Sequence, residues 1–451
     1  MNRTAPIIPA TLFLFVAIVL GGSSRGGVYA NAAIQFAAAL GIALAIVSRH
    51  NYPGGTQKGL LLLLCGAIGL AIFQLIPLPP ALWSALPARS IVSDGMRLVG
   101  VENGWRQISM TPEGTIGAAL SMLPVIAAAL IGMRAPRVGL VSLFIMLILL
   151  LIVSVSIGLA QRMTGIQSSF YLYDISNRGE ATGLFANSNH LATLCVLSIP
   201  AATALFVAQR GSTKPNASWL VWIAIVLVAL FGVWIANSLA GMGLSLIAVA
   251  SVFLIARLRR GNSKVRIGVI GAIGVSVLAI GMVAAVLIWG HVSSGQFAAE
   301  AEMGRPQLWS RAIKAIGAFM PFGSGVGGFR AVFPQFEDAQ TVTRVYANHA
   351  HNDILELIMT GGIPAVILML GFAAWWLRTT IVIWRASTRD AFSEAATVIT
   401  GIIMLHEFVD YPLRTAAIGV IFGLCCGVMA RPRRIVEPEE APERARRHLA
   451  A

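Results

Sequence analysis

Residues 138–160 read VGLVSLFIMLILLLIVSVSIGLA, an apolar run that contains no charged side chain. A helix needs about 20 such residues to cross the hydrocarbon core of a bilayer, so this stretch predicts a membrane-spanning helix. The whole chain has the same character, because 57% of its 451 residues are hydrophobic and only 12% are charged. A soluble domain carries about twice that charged fraction. The composition therefore excludes an ordinary soluble protein and predicts an all-α polytopic membrane protein.

Apolar runs of similar length recur along the chain and predict twelve spanning helices in one bundle over residues 1–430. They fall near residues 7–24, 28–48, 59–78, 115–133, 138–160, 189–208, 218–236, 239–256, 267–289, 354–377, 393–409 and 414–430. An even number of spans places both termini on one side. The tail, residues 431–451, has too little apolar surface to fold alone, so we expect it to be disordered.

The distribution of basic residues predicts the orientation of this bundle. The formal net charge is +14, and most lysines and arginines lie in alternate loops and in the tail, whereas the short loops of the opposite side carry only Arg25 and Arg414. Because lysine and arginine are retained on the cytoplasmic side, both termini are expected to be cytoplasmic. The positive charge is then a topology signal balanced by anionic lipids, and it does not indicate nucleic-acid binding.

Three long connections, residues 79–114, 161–188 and 290–353, are all predicted to lie on the outer side. Long ordered loops are where binding and catalytic residues concentrate, so function is expected there. They contain no Asp-x-Asp cluster, which argues against a catalytic divalent metal. All four cysteines lie inside apolar runs, where we expect buried thiols that form neither disulfides nor metal sites. They are Cys65, Cys195, Cys425 and Cys426.

Two histidines stand at the end of the largest loop, in the sequence Asn348-His349-Ala350-His351-Asn352-Asp353, directly before an apolar run. Because an unperturbed imidazole titrates near neutral pH, His351 or His349 could take a proton from a substrate hydroxyl. Alternatively, the imidazoles cap the following helix or pack beneath the loop.

Nearby ionisable residues have structural and functional interpretations. Asp353 and Glu356 have the spacing of a capping box, so a structural role is predicted for both. His406 and Asp410 lie one helical turn apart near the outer end of the eleventh run, where ionisable residues usually serve function. The sequence does not show how this pair lies relative to His351.

A polar segment, Asn177 to His190, precedes the sixth run. The guanidinium of Arg178 could bind a diphosphate through parallel hydrogen bonds, and Asn187 and Asn189 could orient sugar hydroxyls. Alternatively, one of the two asparagines caps the following helix.

The largest loop also contains an amphipathic pattern from Arg305 to Phe319, which predicts a helix along the outer leaflet. Its predicted apolar face contains Leu308, Trp309, Ala312, Ile313 and Ile316. Arg311 and Lys314 are expected to contact lipid phosphate, and Arg305 is the better candidate for a specific anion. The glycine-rich segment 321–329 that follows could aim N–H groups at phosphate, or it could simply reverse the chain.

Four short motifs resemble those of the O-antigen ligase and O-antigen polymerase family. They stand in the same order along the chain as in the family and span roughly residues 160–430. His351-Asn352, followed after nine residues by Gly362-Ile363-Pro364, resembles the family's histidine signature. The other motifs are Gly183 to Asn189, Arg305 to Trp309, and Pro321 to Phe329. Two positions depart from the family pattern. Ala365 stands where the family's signature commonly has another small residue or a hydroxylated one, and Leu239 stands where the family often has an arginine.

The resemblance implies a C-type membrane glycosyltransferase that takes a glycan from an undecaprenyl diphosphate carrier at the periplasmic face of the bacterial inner membrane. The acceptor would be another glycan or lipid A core, and neither metal nor cofactor is implied. His351 would act on the acceptor hydroxyl, and Arg178 and Arg305 would bind the diphosphate. His349 is a candidate for binding the substrate or for supporting His351, and His406 with Asp410 are further candidates for such support.

A twelve-helix secondary transporter of a small solute is the alternative, because helix number and charge bias alone fit one. Such a transporter would typically show an internal repeat and a long central cytoplasmic loop, whereas residues 209–217 are short and the long loops face outward. A structural membrane protein would leave the outer histidines and arginines unexplained. The sequence does not distinguish a ligase from a polymerase.

Overall fold

A computed structural model describes residues 7–25, 29–47, 54–101, 104–209, 218–256, 305–338 and 347–432. Within these residues the chain is an all-α membrane protein, as predicted. The helices are α1 Ile7–Leu20, α2 Tyr29–Val47, α3 Gly55–Gln74, α4 Pro80–Ser84, α5 Ser90–Leu98, α6 Pro112–Arg134, α7 Arg137–Thr164, α8 Ser188–Gln209, α9 Ser218–Ile235, α10 Leu239–Ala256, α11 Arg305–Phe319, α12 Phe329–Val332, α13 Asp353–Arg385, α14 Ala391–His406 and α15 Ala416–Met429.

Eleven of the twelve predicted runs form helices at their expected positions. Among the described residues, eight helices are long and apolar enough to cross a membrane, namely α2, α3, α6, α7, α8, α9, α10 and α13. The apolar helices α1, α14 and α15 are shorter. The ninth predicted run, 267–289, lies outside the described residues, as do parts of the third long loop and the tail from residue 433. The chain is therefore a multi-pass membrane protein, and the number twelve stays a prediction.

Helix α8 forms the centre of the bundle, because nearly every side chain from His190 to Phe206 is buried. It packs against α7, α9, α10 and α14. Elsewhere, α6 and α15 approach backbone to backbone: a Cβ added at Gly427 would lie 2.1 Å from the carbonyl oxygen of Ala129. Small residues permit such close helix contact inside a membrane.

The predicted burial of the cysteines is confirmed at three positions and wrong at one. All four thiols are free, and Cys195, Cys425 and Cys426 are buried. Cys65 is exposed, because it lies on a face of α3 that no other described helix covers.

The turn after α1, the segment before α8 and the start of α15 meet at one end of the bundle. Ala186 donates its N–H to the carbonyl of Gly22 at 3.0 Å, and Ala417 donates to Gly21 at 3.0 Å. The turn after α1 therefore joins the segment before α8 to the start of α15. We call this end of the bundle the loop end.

The first long loop, between α3 and α6, is built around two short antiparallel strands, β1 Pro77–Leu78 and β2 Arg106–Gln107. Arg89 lies buried beneath them and donates from Nη2 to the carbonyl of Ile108 at 2.6 Å. Burial lowers the pKa of Arg89 to about 10. The loop is thus a folded cap on the loop end.

Helix α11 forms over the predicted residues, and one of its faces packs against the protein. Ala312, Ala315 and Phe319 are buried, and α11 packs against α13. Ile313 is 58% exposed, so it does not contribute to the contact with α13. The buried stripe follows the contact with α13, and Ile313 lies on the opposite side.

Candidate functional site

The histidine loop, residues 348–352, leads directly into α13. Asn352 is the N-cap of this helix, and its side chain accepts a hydrogen bond from the N–H of Leu355 at 3.0 Å. The carboxylate of Glu356 turns towards the loop, where it accepts from the N–H of Ala350 at 2.9 Å and lies 3.2 Å from Nδ1 of His349. The predicted capping box of Asp353 and Glu356 is therefore wrong, because Asn352 takes the cap position.

His351 is held by a buried carboxylate. Its Nδ1 lies 3.2 Å from Oδ1 of Asp410, which is fully buried, while the His351 side chain is 32% exposed. An ionised carboxylate only accepts hydrogen bonds, so Nδ1 carries the proton and Nε2 has a free lone pair. The backbone of His351 is left-handed, with φ of 47°. The loop therefore turns sharply to place this one imidazole between the solvent and Asp410.

The charge of Asp410 is stabilised by its neighbours. Burial opposes ionisation of this carboxyl group, but the hydrogen bond from His351 and the nearby imidazoles of His190 and His406 outweigh burial and hold the pKa well below its usual value. Asp410 is therefore a carboxylate at neutral pH. A fixed negative charge behind His351 stabilises the positive charge that develops on the imidazole when it takes a proton during general base catalysis.

Tyr411 connects the histidines of this region. Its ring centroid lies 4.3 Å from that of His349, 4.9 Å from His351 and 5.4 Å from His190. Its hydroxyl accepts a hydrogen bond from the side chain of Asn348 at 3.3 Å, and burial raises its pKa to about 12. Sequence reasoning missed Tyr411. Its position directly after Asp410 was the available signal.

The two asparagines before α8 have structural partners. Asn187 accepts from the N–H of Asn189 at 2.8 Å, so it caps α8, and its side chain also hydrogen-bonds to Tyr411. Asn189 accepts from the hydroxyl of Ser238 at 2.7 Å, which ties α8 to the turn before α10. The cap interpretation of Asn187 is thus confirmed, and Asn187 also lies beside the histidine loop.

His406 and Asp410 also lie beside the histidine loop. His406 ends α14, and its Nδ1 is 2.9 Å from the hydroxyl of Thr193 on α8. The charge of Arg305, at the start of α11, acts on His406 across this end of the bundle. One turn later, Trp309 donates from Nε1 to the carbonyl of Ala350 at 3.1 Å. Helix α11 therefore brings Arg305 to the site and supports the histidine loop.

Arg178 takes a different position. Its guanidinium lies 5.2 Å from the centroid of the Tyr171 ring and donates to the carbonyl of Ile166 at 3.3 Å, and the residue is exposed. These contacts stay within the second long loop. Among the described residues, no contact joins Arg178 to His351.

An ion cluster that the sequence did not indicate anchors the site. Arg414 donates from Nε to Asp353 at 2.7 Å, and its Nη2 lies 3.3 Å from Glu356. Burial disfavours the charge of Arg414, but these carboxylates raise its pKa above the usual value. Beneath them, burial and the Asp353 carboxylate raise the pKa of Glu407 well above its usual value. Arg414, which the sequence analysis used only to predict orientation, therefore anchors the start of α13 beside the histidine loop.

The glycine-rich segment is a chain reversal. The N–H of Ser324 donates to Met359 at 3.1 Å, that of Gly325 to Thr360 at 2.9 Å, and that of Val326 to the side chain of Gln74 at 2.8 Å. Because these donors are already used, they do not form a phosphate cradle. The segment fits against a kink in α13 at Gly362, where φ is 62° and an added Cβ would lie 2.2 Å from a neighbouring carbonyl oxygen.

Residues 223–370 match the family model described as O-Antigen ligase, which is about a third of the chain. The match supports the resemblance to the O-antigen ligase family that the four motifs indicated. The match supports a membrane enzyme of the O-antigen ligase type that transfers glycans. No curated protein matches the chain.

The O-antigen ligase match contains Arg305, the glycine-rich segment and His351, but it begins after the segment that carries Arg178 and Asn187. It favours an enzyme over the transporter alternative. Among the described residues, no group of three or more histidine, cysteine, aspartate or glutamate side chains could hold a metal ion. Metal-independent transfer stays a prediction.

Proposed function

We propose that this protein transfers a glycan from an undecaprenyl-diphosphate-linked donor to a hydroxyl group of a second glycan or of lipid A core. The reaction would take place at the periplasmic face of the bacterial inner membrane and would need neither metal nor cofactor. The observation that carries the proposal is the pair of His351 and Asp410, in which a buried carboxylate fixes a partly exposed imidazole. His351 lies inside the part of the chain that matches O-antigen ligase, and Asp410 follows that part.

In the proposed reaction, Nε2 of His351 takes the proton of the acceptor hydroxyl. The acceptor oxygen forms a bond to the anomeric carbon of the donor sugar, and the bond from that carbon to the diphosphate oxygen breaks. The electron pair leaves with the undecaprenyl diphosphate. Asp410 stabilises the imidazolium until the proton passes to solvent.

The leaving diphosphate needs positive charge, and Arg305 is the best supported partner. It is exposed at the start of α11, and Trp309 fixes that helix to the histidine loop. A guanidinium binds phosphate oxygens through two parallel hydrogen bonds. Arg178 is proposed as a second partner of the diphosphate. Leu239 is 51% exposed and supplies no charge at the position where the family often has arginine.

Asn187 and Asn189 remain candidates for orienting sugar hydroxyls, although the oxygen of each already accepts a protein hydrogen bond. Their amide NH₂ groups are the parts available to a ligand, since each such group has two donors and Asn187 uses only one of them towards Tyr411. We assign His349 to support, because its ring lies between Glu356 and Tyr411.

The proposed side of the membrane rests on two observations. The described long loops meet at one end of the bundle, and most basic residues lie in the alternate connections, which favours cytoplasmic termini. Labelling of a His351→Cys variant, with Cys65→Ser to lower the background, tests this. An impermeant thiol reagent should label intact cells from outside. Labelling that appears only after the cytoplasm is opened would contradict the orientation.

The chemical role is tested by transfer from a lipid-linked glycan in proteoliposomes. Loss of a general base reduces the rate by about 10²- to 10⁴-fold, so His351→Gln should show such a reduction. Asp410→Asn, which keeps the shape but allows the wrong tautomer, should also transfer slowly. The control is Arg97→Gln on the exposed helix α5, which should retain activity. Full activity of His351→Gln would remove His351 from the mechanism.

Cellular glycolipids separate the two possible products. After deletion of the protein, glycolipids with a single repeat would indicate a polymerase. Long chains that stay on the carrier would indicate a ligase.

A further inference from the structure

Behind His351 lies a group of buried polar atoms that have no hydrogen-bond partner in the described part of the chain. They are both ring nitrogens of His190, Nε2 of His406 and Oδ2 of Asp410. His190 is 1% exposed, and His406 and Asp410 are fully buried. Buried polar atoms in folded proteins are almost always hydrogen-bonded, because leaving them unpaired costs free energy. Four such atoms in one place point to a small polar ligand.

The three residues face one another from two elements. His190 lies in the first turn of α8, while His406 ends α14 and Asp410 follows one turn later. The hydroxyl of Thr193, on α8, contacts Nδ1 of His406 at 2.9 Å and so joins the two elements. His190 interacts electrostatically with both Asp410 and His406. The contact with Thr193 fixes the ring of His406, whose Nε2 then points away from Thr193.

The chemistry of these atoms selects the ligand. The described residues hold no group of side chains that could bind a metal ion. A carboxylate oxygen accepts hydrogen bonds, and each neutral imidazole offers one donor and one acceptor. A buried water molecule typically makes about three hydrogen bonds to such groups. The rings of Tyr411 and Phe185 meet His190 edge-on at 5.4 and 6.2 Å between centroids and close the site on that side.

We propose that His190, His406 and Asp410 bind an internal water molecule that donates a hydrogen bond to Oδ2 of Asp410. His351 holds Oδ1 of the same carboxylate, so the water and His351 together fix its orientation. His190 and His406 are thereby positioning residues that act on His351 through Asp410. The binding of water is independent of the proposed function, whereas its effect on catalysis rests on that function.

The water should change the proton affinity of His351 in a defined direction. With neutral His351 the pair carries one negative charge, and with protonated His351 it is neutral overall. A hydrogen bond to Oδ2 stabilises the negative pair more, so its loss makes His351 hold its proton more tightly. The charged and titratable groups around the site are His349, His351, Glu356, Tyr411 and Arg305, besides the three that bind the water.

The first test is direct. An electron cryo-microscopy structure of the full chain in lipid nanodiscs, at a resolution that shows ordered water, should show density within hydrogen-bond distance of Oδ2 of Asp410 and of a ring nitrogen of His190. Direct hydrogen bonds between His190, His406 and Asp410, with no density between them, would overturn the proposal.

The second test compares His190→Leu with His190→Gln. Glutamine keeps a donor and an acceptor, so the pH profile of kcat/KM for transfer from a lipid-linked glycan should stay close to that of the unmodified protein. In His190→Leu the acid limb should move to higher pH by about one unit, as the loss of one hydrogen bond to a carboxylate implies. An unmoved acid limb in an active His190→Leu protein would overturn the proposal.

The two proposals fail in different ways. If the unmodified protein transfers no glycan at any pH, the proposed function fails, and the density test still decides whether water is bound. If His190→Leu does not yield folded protein, the structure of the unmodified chain decides in the same way.

Discussion

Replacing Arg414 by methionine should destabilise the protein strongly, because it removes the partner of one buried and one largely buried carboxylate. Arg414 lies 2.7 Å from Asp353 and 3.3 Å from Glu356, whose side chains are only 15% and 3% exposed. Breaking a buried ion pair from one side costs about 3–5 kcal/mol, since it leaves an uncompensated charge. We therefore expect a loss of this size in the free energy of unfolding of Arg414→Met.

The matched control is Arg97→Met. Arg97 lies 2.9 Å from Asp94, but these side chains are 80% and 57% exposed. A pair in solvent contributes about 0–1 kcal/mol, so this variant should unfold almost like the unmodified protein. Unfolding of each variant in detergent, followed by tryptophan fluorescence, gives the comparison.

A compensating variant separates charge from packing. Adding Asp353→Asn and Glu356→Gln to Arg414→Met removes the buried charges and should restore much of the lost stability. Equal stability of Arg414→Met and Arg97→Met would refute the reasoning. So would a triple variant that is no more stable than Arg414→Met.

Three further changes test single contacts. Glu407→Gln should make the protein more stable at neutral and alkaline pH but little changed near the usual glutamate pKa of about 4. The raised pKa of Glu407 means that its stabilising effect is present at low pH and is lost as pH rises, and identical melting curves at all pH values would contradict this. Trp309→Phe removes the hydrogen bond to Ala350, worth about 1 kcal/mol, and should speed amide hydrogen exchange in the histidine loop. Unchanged exchange there would show that α11 does not support the loop. Gly362→Ala should lower the yield of folded protein, because its φ is 62°, whereas Gly69→Ala, with open space around it, should not. Equal yields would contradict the tight fit at the kink.

The positions of the helices followed from the sequence because the bilayer acts locally. Each apolar run must be long enough to cross the hydrocarbon layer, and its backbone satisfies its own hydrogen bonds as a helix. Residues 138–160, for example, lie inside α7, Arg137–Thr164. The predicted helix that begins near Arg305 also formed, since its period is visible within one segment.

The candidate site was predictable in part. His351 and His349 stood out as imidazoles at a predicted membrane boundary, and His406 with Asp410 as ionisable residues at the end of a run. The phosphate cradle was one interpretation of the glycine-rich segment, and only the acceptors contributed by α13 and Gln74 decided against it. Those acceptors come from other parts of the chain, so no local pattern could reveal them.

The sequence by itself determined an all-α membrane protein, the places of its described spanning helices and the imidazoles that stand at their ends. Only the tertiary structure decided which of these groups meet. Asp410 reaches His351 across 59 positions of sequence, and Arg414 reaches Asp353 across 61. The physical reason is that such pairs depend on which helix ends pack together, and burial then fixes which groups stay charged.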